Sequence, residues 1–376
     1  MIYLDANATT PLAPEVLKAM LPFLSEVYGN PSSGHHAGRL SRAAIDESRD
    51  TLASLLKCRP HEVIFTGSGT ESDNLAILGL ARAHSRKGRH LVTCATEHHA
   101  VLHAFDYLEQ KEGFAVTKLG VGADGRLNPS DLAAAIRTDT TLVSVMTANN
   151  ETGVTHPIPE ISAVCREKNV LFHSDVVQSF GKETLDIGLF DALSLAAHKF
   201  YGPKGAGALF LRGGIAIDSI QLGGAQEAQR RPGTENTASI VGLATSARLA
   251  MERMADDAAK VAPLRDRFEE GLASECRGLE FNGHREHRLF NTANVTFPAS
   301  DAESLLMALD LEGVCASSGS ACMVGSLQPS HVLQAMGVPA TRAASSLRFS
   351  FGRSATLEEV DTAVAKIRRV WERLSR

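Results

Sequence analysis

The chain of 376 residues has no long apolar run, no marked excess of charge and no paired-cysteine spacing, and each absence removes a class of function. Without a stretch near the ~20 apolar residues that a bilayer demands, no membrane span is expected. Met1-Ile2-Tyr3-Leu4-Asp5 offers neither a basic leader nor an apolar core, so no secretory signal is read there. A formal charge of −5 gives no general attraction to nucleic acid or to an anionic membrane. The basic run Lys366-Ile367-Arg368-Arg369 falls in an amphipathic pattern and reads as the solvated face of a helix. Six cysteines, at 58, 94, 165, 276, 315 and 322, form no CxxC pair and no disulfide framework, which points to a reducing cytoplasm. Histidine is plentiful, with His35-His36 and His98-His99 adjacent, yet there is no HExxH, and His284 and His287 have no thiols nearby. A stable metal site built from side chains is therefore not expected. No internal repeat and no low-complexity tract is found.

What is present is an α/β pattern long enough for one large domain and a smaller one. Between about residues 60 and 215, β-rich apolar runs alternate with helical patterns. The runs are 62–66, 90–94, 141–146, 170–173, 192–195 and 206–211, and the alternation predicts a mostly parallel sheet covered on both faces. A polar, alanine-rich helical stretch at roughly 235–275 reads as a connector to a second block of strands and helices. Ser300 with Glu303 and Thr356 with Glu359 have the spacing of capping boxes. Val360, Val364, Ile367 and Trp371 share one face of the last helix, so that helix is expected to dock on a core.

Ala316-Ser317-Ser318-Gly319-Ser320-Ala321-Cys322 places a thiol in a run of small residues that favours turns. A free thiol is out of place in such a run unless it reacts, so a reactive cysteine is the favoured reading of this run alone and an incidental surface cysteine is the alternative. Upstream residues weigh between them. Lys199 follows an apolar strand and precedes a Gly/Pro turn, a position from which an amine projects into a cleft and acts as a Schiff-base nucleophile. Asp175 and Gln178 follow another buried strand, where an acidic group can hold a pyridine nitrogen protonated. Thr66-Gly67-Ser68-Gly69-Thr70-Glu71 is a strand–turn–helix junction that offers backbone N–H groups and a helix dipole to a phosphate. Each has an ordinary alternative, a surface lysine or a capping residue. Together, at strand ends of one sheet, they suggest a cofactor cleft.

Asp175-x-x-Gln178, His198-Lys199-x-x-Gly202-Pro203-Lys204-Gly205 and Ser317-Ser318-Gly319-Ser320-Ala321-Cys322 together resemble the pyridoxal-phosphate-dependent cysteine desulfurases. The subgroup is that of the nitrogen-fixation and iron–sulfur-cluster enzymes, within the class-V aminotransferase superfamily. The likeness runs from Tyr3-Leu4-Asp5-Ala6-Asn7 to Phe351-Gly352-Arg353 and takes in Gly29-Asn30-Pro31, Glu97-His98-His99, Asn149-Asn150-Glu151 and Arg231-Pro232-Gly233-Thr234.

The resemblance implies fold type I of the pyridoxal-phosphate enzymes. A large domain, 15–255, would hold a mostly parallel seven-stranded sheet; 1–14 and 256–376 would form a smaller α+β domain carrying the cysteine loop. It implies that Lys199 bears the cofactor, Asp175 pairs its pyridinium, Gln178 bonds its ring oxygen and His98 stacks on its face. Gly69, Thr70 and His198 would hold the phosphate, with Thr234 contributed across a homodimer. Asn149 would lie near the ring oxygen and the substrate, Asn30 would also contact substrate, and Arg348, with Arg353 as runner-up, would clamp the substrate carboxylate. Cys322 would take sulfur from L-cysteine, leaving alanine, and pass it to an acceptor protein, such as an iron–sulfur scaffold; it would be at most a transient cluster ligand. Ala196 departs from the pattern, since relatives place a serine hydroxyl there. The chain also ends soon after Trp371, where the housekeeping relative carries a tail that docks its scaffold, so that docking is not implied. Selenocysteine as substrate, an aminotransferase or racemase, and a non-catalytic sulfur carrier remain the rival readings.

Overall fold

Alternate residues of the central strands point to opposite faces, and both faces are apolar. Val92, Val143 and Phe65 point into one hydrophobic cluster while their neighbours Leu91, Leu142 and Ile64 point into another. Such two-sided burial is what a sheet sandwiched between helices demands. The computed structural model describes residues 1–318 and 329–375. In chain order the strands are β1 (Ile2–Tyr3), β2 (Val63–Thr66), β3 (His90–Cys94), β4 (Ala115–Leu119), β5 (Thr140–Ser144), β6 (Leu171–Asp175), β7 (Ala192–Ala196) and β8 (Gly207–Leu211). The second block adds β9 (Glu280–Phe281), β10 (Thr292–Thr296), β11 (Val314–Cys315), β12 (Ser317–Ser318) and β13 (Ser346–Ser350).

Seven strands form the main sheet in the order β2-β8-β7-β6-β5-β3-β4. All neighbours are parallel except β8, which runs antiparallel to both β2 and β7. The mostly parallel seven-stranded sheet is therefore as expected. Its consequence is functional: the C-terminal ends of β2, β3, β5, β6 and β7 all open on one edge.

The second block is a four-stranded antiparallel sheet, β12-β13-β10-β9, covered by the helices Ala302–Leu311 and Leu357–Leu374. Phe268, Phe297, Phe349 and Phe351 form its centre with edge-to-face and tilted ring pairs. β1 pairs in parallel with β11, so the start of the chain belongs to this block.

Two expectations are refined. The stretch at 235–275 is one 39-residue helix, Thr237–Glu275, and it is no mere spacer. Ile240, Leu243 and Ala247 enter the first core and Leu264, Phe268 and Leu272 the second, so the helix staples the two blocks. The helix at 302 is capped by Asp301, whose carboxylate takes the Ser304 N–H at 2.8 Å, rather than by Ser300. Ser300 donates instead to the Phe297 carbonyl. A carboxylate one residue closer is the stronger acceptor for the positive helix end. The Thr356–Glu359 capping box forms as expected.

Candidate active site

β7 is buried throughout and ends at Ala196; a single 3-10 turn, Ala197–Lys199, then lifts the lysine over the sheet edge. Lys199 Nζ donates to the carbonyls of Asn7 (2.7 Å) and Ala8 (2.8 Å). Gln178 Nε2 donates to the same Asn7 carbonyl at 3.0 Å. Asn7 is itself tied down, its amide donating to Thr292 Oγ1 at 2.9 Å and its Oδ1 accepting from Asn291 Nδ2 at 3.0 Å. Two residues past the lysine, Tyr201 takes φ of 67°, a strained value for a bulky side chain. Bonds from its N–H to Thr10 Oγ1 and from the Ala13 N–H to its carbonyl hold it there.

β6 brings Asp175 to the same edge, 7% exposed, with Oδ1 accepting from the Val177 N–H at 2.8 Å. Burial pushes its carboxyl up to about 6, against the pull of that bond and of the Lys199 charge. Behind it lies Asp73, buried, with no hydrogen-bond partner for Oδ1 among the described residues. Its carboxyl is raised by burial and by the charge of Asp175. His173 Nε2 stands 3.8 Å from it, and burial drives that imidazole down to about 3, so it is neutral.

The junction after β2 is built as a helix N-terminus. Ser68 caps the helix Gly69–Ala83 through the Glu71 N–H, and Glu71 reaches back to the Gly67 N–H at 2.7 Å. A Cβ at Gly69 would lie 2.9 Å from Val177 Cγ2 and 3.2 Å from Ala196 Cβ, so only glycine leaves this cradle open. His98 caps the helix His99–Glu112 by accepting the Ala100 N–H at Nδ1. Burial first, then the Lys199 charge, lowers His98 to about 4. His198 is lowered to about 4 by the same causes, with Nδ1 3.1 Å from Thr9 Oγ1.

These groups surround one cleft of about 370 Å³. Gly69, Thr70, His98, Asp175, Gln178, His198, Lys199 and Arg348 line it, all of them singled out from sequence. Arg348 is 2% exposed, paired with Asp5 at 2.8 Å and bonded to the Asn150 carbonyl at 3.0 Å. Arg353 faces a second, smaller cavity that shares Lys199 with the cleft, and it is paired with Asp257 and stacked 3.7 Å over the Tyr201 ring. Asn149 is buried in a turn, where Oδ1 accepts from the Glu151 and Thr152 N–H groups; its neighbour Asn150 lines the cleft instead. Asn30 and Thr234 lie exposed, outside the lining. Cys322 lies outside the described residues. Asn7, Asp73 and Met146 also line the cleft and had been given no role. Asp73 had a signal, since it falls one helical turn after Gly69 and Thr70 and so on the face that starts at the cradle.

The five described cysteines are free thiols. Burial raises Cys58 and Cys276 to about 11 and Cys94 and Cys165 to about 12, and raises Cys315 as well. None is a ready thiolate. No helix among the described residues is long and apolar enough to cross a membrane, and no group of side chains there is arranged to hold a metal.

An amine, a buried carboxyl and an open helix N-terminus at one edge of a parallel sheet fit pyridoxal 5′-phosphate: aldehyde, pyridine nitrogen and phosphate each meet matching chemistry. The fold and cleft thus define a pyridoxal-phosphate enzyme of fold type I. The chain belongs to the aminotransferase class-V family, whose model matches residues 2–363. It is 45% identical over 375 residues to the cysteine desulfurase IscS of Dictyoglomus turgidum, covering 99% of this chain and 95% of that one. Among solved structures, a NifS-like protein superposes with a TM-score of 0.93 at 34% identity, over 99% of this chain and 100% of the other. SspA in complex with cysteine gives 0.83 at 34% identity, over 95% and 100%.

Proposed function

We propose that this protein is a cysteine desulfurase that moves the sulfur of L-cysteine onto Cys322, releasing L-alanine. The observation that carries the reading is the convergence of Lys199, Asp175 and Arg348 on one cleft in a chain of this family. Pyridoxal phosphate, when bound, supplies an electron sink for the carbon skeleton of the amino acid. Lys199 holds the cofactor and moves the proton at the substrate Cα. Asp175, buried with its carboxyl poised near 6, holds the proton at the pyridine nitrogen. Gln178 would donate to the cofactor's ring oxygen, and the neutral His98 ring would pack against the cofactor. Gly69, Thr70 and His198 bind the phosphate; family likeness adds a homodimer in which Thr234, exposed and outside its own protomer's cleft, completes that shell across the interface. Arg348, which lines the cleft, binds the substrate carboxylate; Arg353, which does not line it, is less well placed. Asn149 acts through the turn that presents Asn150 to the cleft, and Asn30, outside the lining of this protomer, is assigned to the substrate by family likeness alone.

Cys322, as thiolate, attacks the substrate sulfur. A new S–S bond forms, the Cβ–S bond breaks, and its electron pair takes up a proton to leave alanine. The raised thiols of the other cysteines support Cys322 as the acceptor. The persulfide then passes to an acceptor protein for iron–sulfur cluster assembly. Five free cysteines suit a reducing cytoplasm. The same reading divides the chain into 15–255 and 1–14 with 256–376. Mass spectrometry after L-cysteine tests it: one added sulfur atom on the peptide containing Cys322, with alanine released, is expected. Sulfur elsewhere, or Cys322→Ala with undiminished alanine release, would sink it.

A further inference from the structure

Glu151 is 2% exposed in the turn that follows Asn149. Its N–H is held by Asn149 Oδ1 at 2.9 Å and its carbonyl by Asn294 Nδ2 at 3.2 Å. Its carboxylate Oε2 accepts a 2.5 Å hydrogen bond from Ser330 Oγ. That hydroxyl is engaged on its other side too, capping the helix His331–Ala335 by accepting the Leu333 N–H at 3.1 Å. The remaining influence on Glu151 is the guanidinium of Arg348, the arginine bonded to the carbonyl of the preceding residue, Asn150. Burial nonetheless pushes its carboxyl up to about 7. An apolar or amide side chain would fill this space without the desolvation cost of a carboxyl group, so the group needs a reason to be there.

The reason lies in what it joins. Ser330 belongs to the chain just after residues 319–328, the segment that contains Cys322. A second tie on the same flank runs from His331 Nε2 to the carbonyl of Glu97, beside His98, at 3.0 Å. On the other flank, Ser317 of β12 stands opposite Arg348 of β13. The chain therefore enters the Cys322 segment beside Arg348 and leaves it on Glu151.

We propose that Glu151 is a positioning residue: through Ser330 it fixes the C-terminal flank of the Cys322 segment to the turn that also holds Arg348. The chain that leaves residues 319–328 and the clamp for the substrate carboxylate then share one anchor. The inference rests on the reading of Cys322 as sulfur acceptor. Ser330 caps its helix with or without Glu151, so the Glu151–Ser330 bond is not needed for the cap itself.

The test uses the holoenzyme and L-cysteine, with two readouts. One is the affinity for L-cysteine from the cofactor absorbance; the other is the single-turnover rate at which sulfur appears on Cys322, by quench and mass spectrometry. Ser330→Ala and Glu151→Ala should each slow sulfur transfer about ten-fold, the worth of one hydrogen bond to an ionisable group, while L-cysteine affinity changes by less than about two-fold. The double variant should be no slower than the slower single, because both remove the same bond. Glu151→Gln and Ser330→Thr, which keep acceptor and donor, should recover most of the rate. Unchanged transfer in Ser330→Ala, multiplicative losses in the double variant, or a loss confined to affinity would overturn the role. If Glu151→Ala does not fold, Ser330→Gly decides: glycine is a tolerated helix cap but has no hydroxyl for Glu151, so it should transfer sulfur as slowly as Ser330→Ala, and wild-type transfer in it would overturn the role. Wild-type enzyme that gains no sulfur on Cys322 fails the functional reading itself, an outcome separate from wild-type loading matched by Ser330→Ala.

Discussion

Ala196 puts a methyl group at the lip of the phosphate cradle, 1% exposed and lining the cleft, where a hydroxyl would meet an anion. A serine there adds one donor without adding bulk that the neighbouring Gly69 could not accept. Ala196→Ser should therefore bind the cofactor more tightly, by about 0.5–1.5 kcal/mol, read as slower loss of cofactor absorbance on dialysis. A looser cofactor in the variant would show that the cradle is already full. Asp175→Asn keeps an acceptor for the Val177 N–H but cannot hold a pyridinium proton. It should retain cofactor and lose at least ~10²-fold in alanine release, measured from L-cysteine. Lys199, Asp175 and Gly69 were legible because each follows a strand that could be read as buried. Asp73 carried only the weaker signal of helical spacing from Gly69, and the roles of Asn7 and Glu97 were not legible. Asn7 reaches Lys199 across 192 residues of sequence, a closure that no local pattern encodes. Glu97 is buried with Oε1 on the Met146 N–H, a long-range bond that its place in the Glu97-His98-His99 run does not reveal.

Among elements, the helix Gly69–Ala83 is the one whose position decides whether a phosphate fits. Its first residue is wedged against Val177 and Ala196, so Gly69→Ala forces a contact of 2.9 Å that real side chains do not tolerate. Either the helix end or the Val177 side chain at the cradle must shift. Cofactor affinity should fall at least ten-fold, or about 1.4 kcal/mol, while far-ultraviolet circular dichroism stays that of a folded protein. Equal affinity would mean that the phosphate lies elsewhere. The central strands were legible for the same reason that they form: β-branched and apolar residues buried on both faces. β4 escaped notice because it is the edge strand, half exposed, and Lys118 breaks its apolar run. The reversed direction of β8 was equally hidden, since residue pattern reports burial and not strand polarity. The long helix Thr237–Glu275 looked polar as a whole because its apolar residues are divided between two cores.

Across the whole molecule, the buried histidines and buried carboxyls respond to pH with opposite sign. His98, His156 and His198 are lowered to about 4 and His173 to about 3, each chiefly by burial. A histidine whose folded value lies below its ordinary 6.5 contributes stability that is present above 6.5 and is lost as pH falls toward 4, because the unfolded chain takes up the proton first. Glu151, raised to about 7, works against this: its penalty is absent below its ordinary 4.5 and grows as pH rises toward 7. His156 isolates the first effect, since it lies outside the cleft and accepts the Leu127 N–H at Nδ1. A gap of 2.5 pH units corresponds to about 3 kcal/mol, lost between pH 6.5 and 4. His156→Asn keeps an acceptor for that N–H and cannot be protonated in this range. Its unfolding free energy should be lower than wild type at pH 7.5 and should converge on it, or exceed it, near pH 4.5. Denaturant unfolding at the two pH values measures this directly. Parallel losses in both proteins would assign the acid sensitivity to the cleft histidines, His98 and His198, and to His173 behind Asp175.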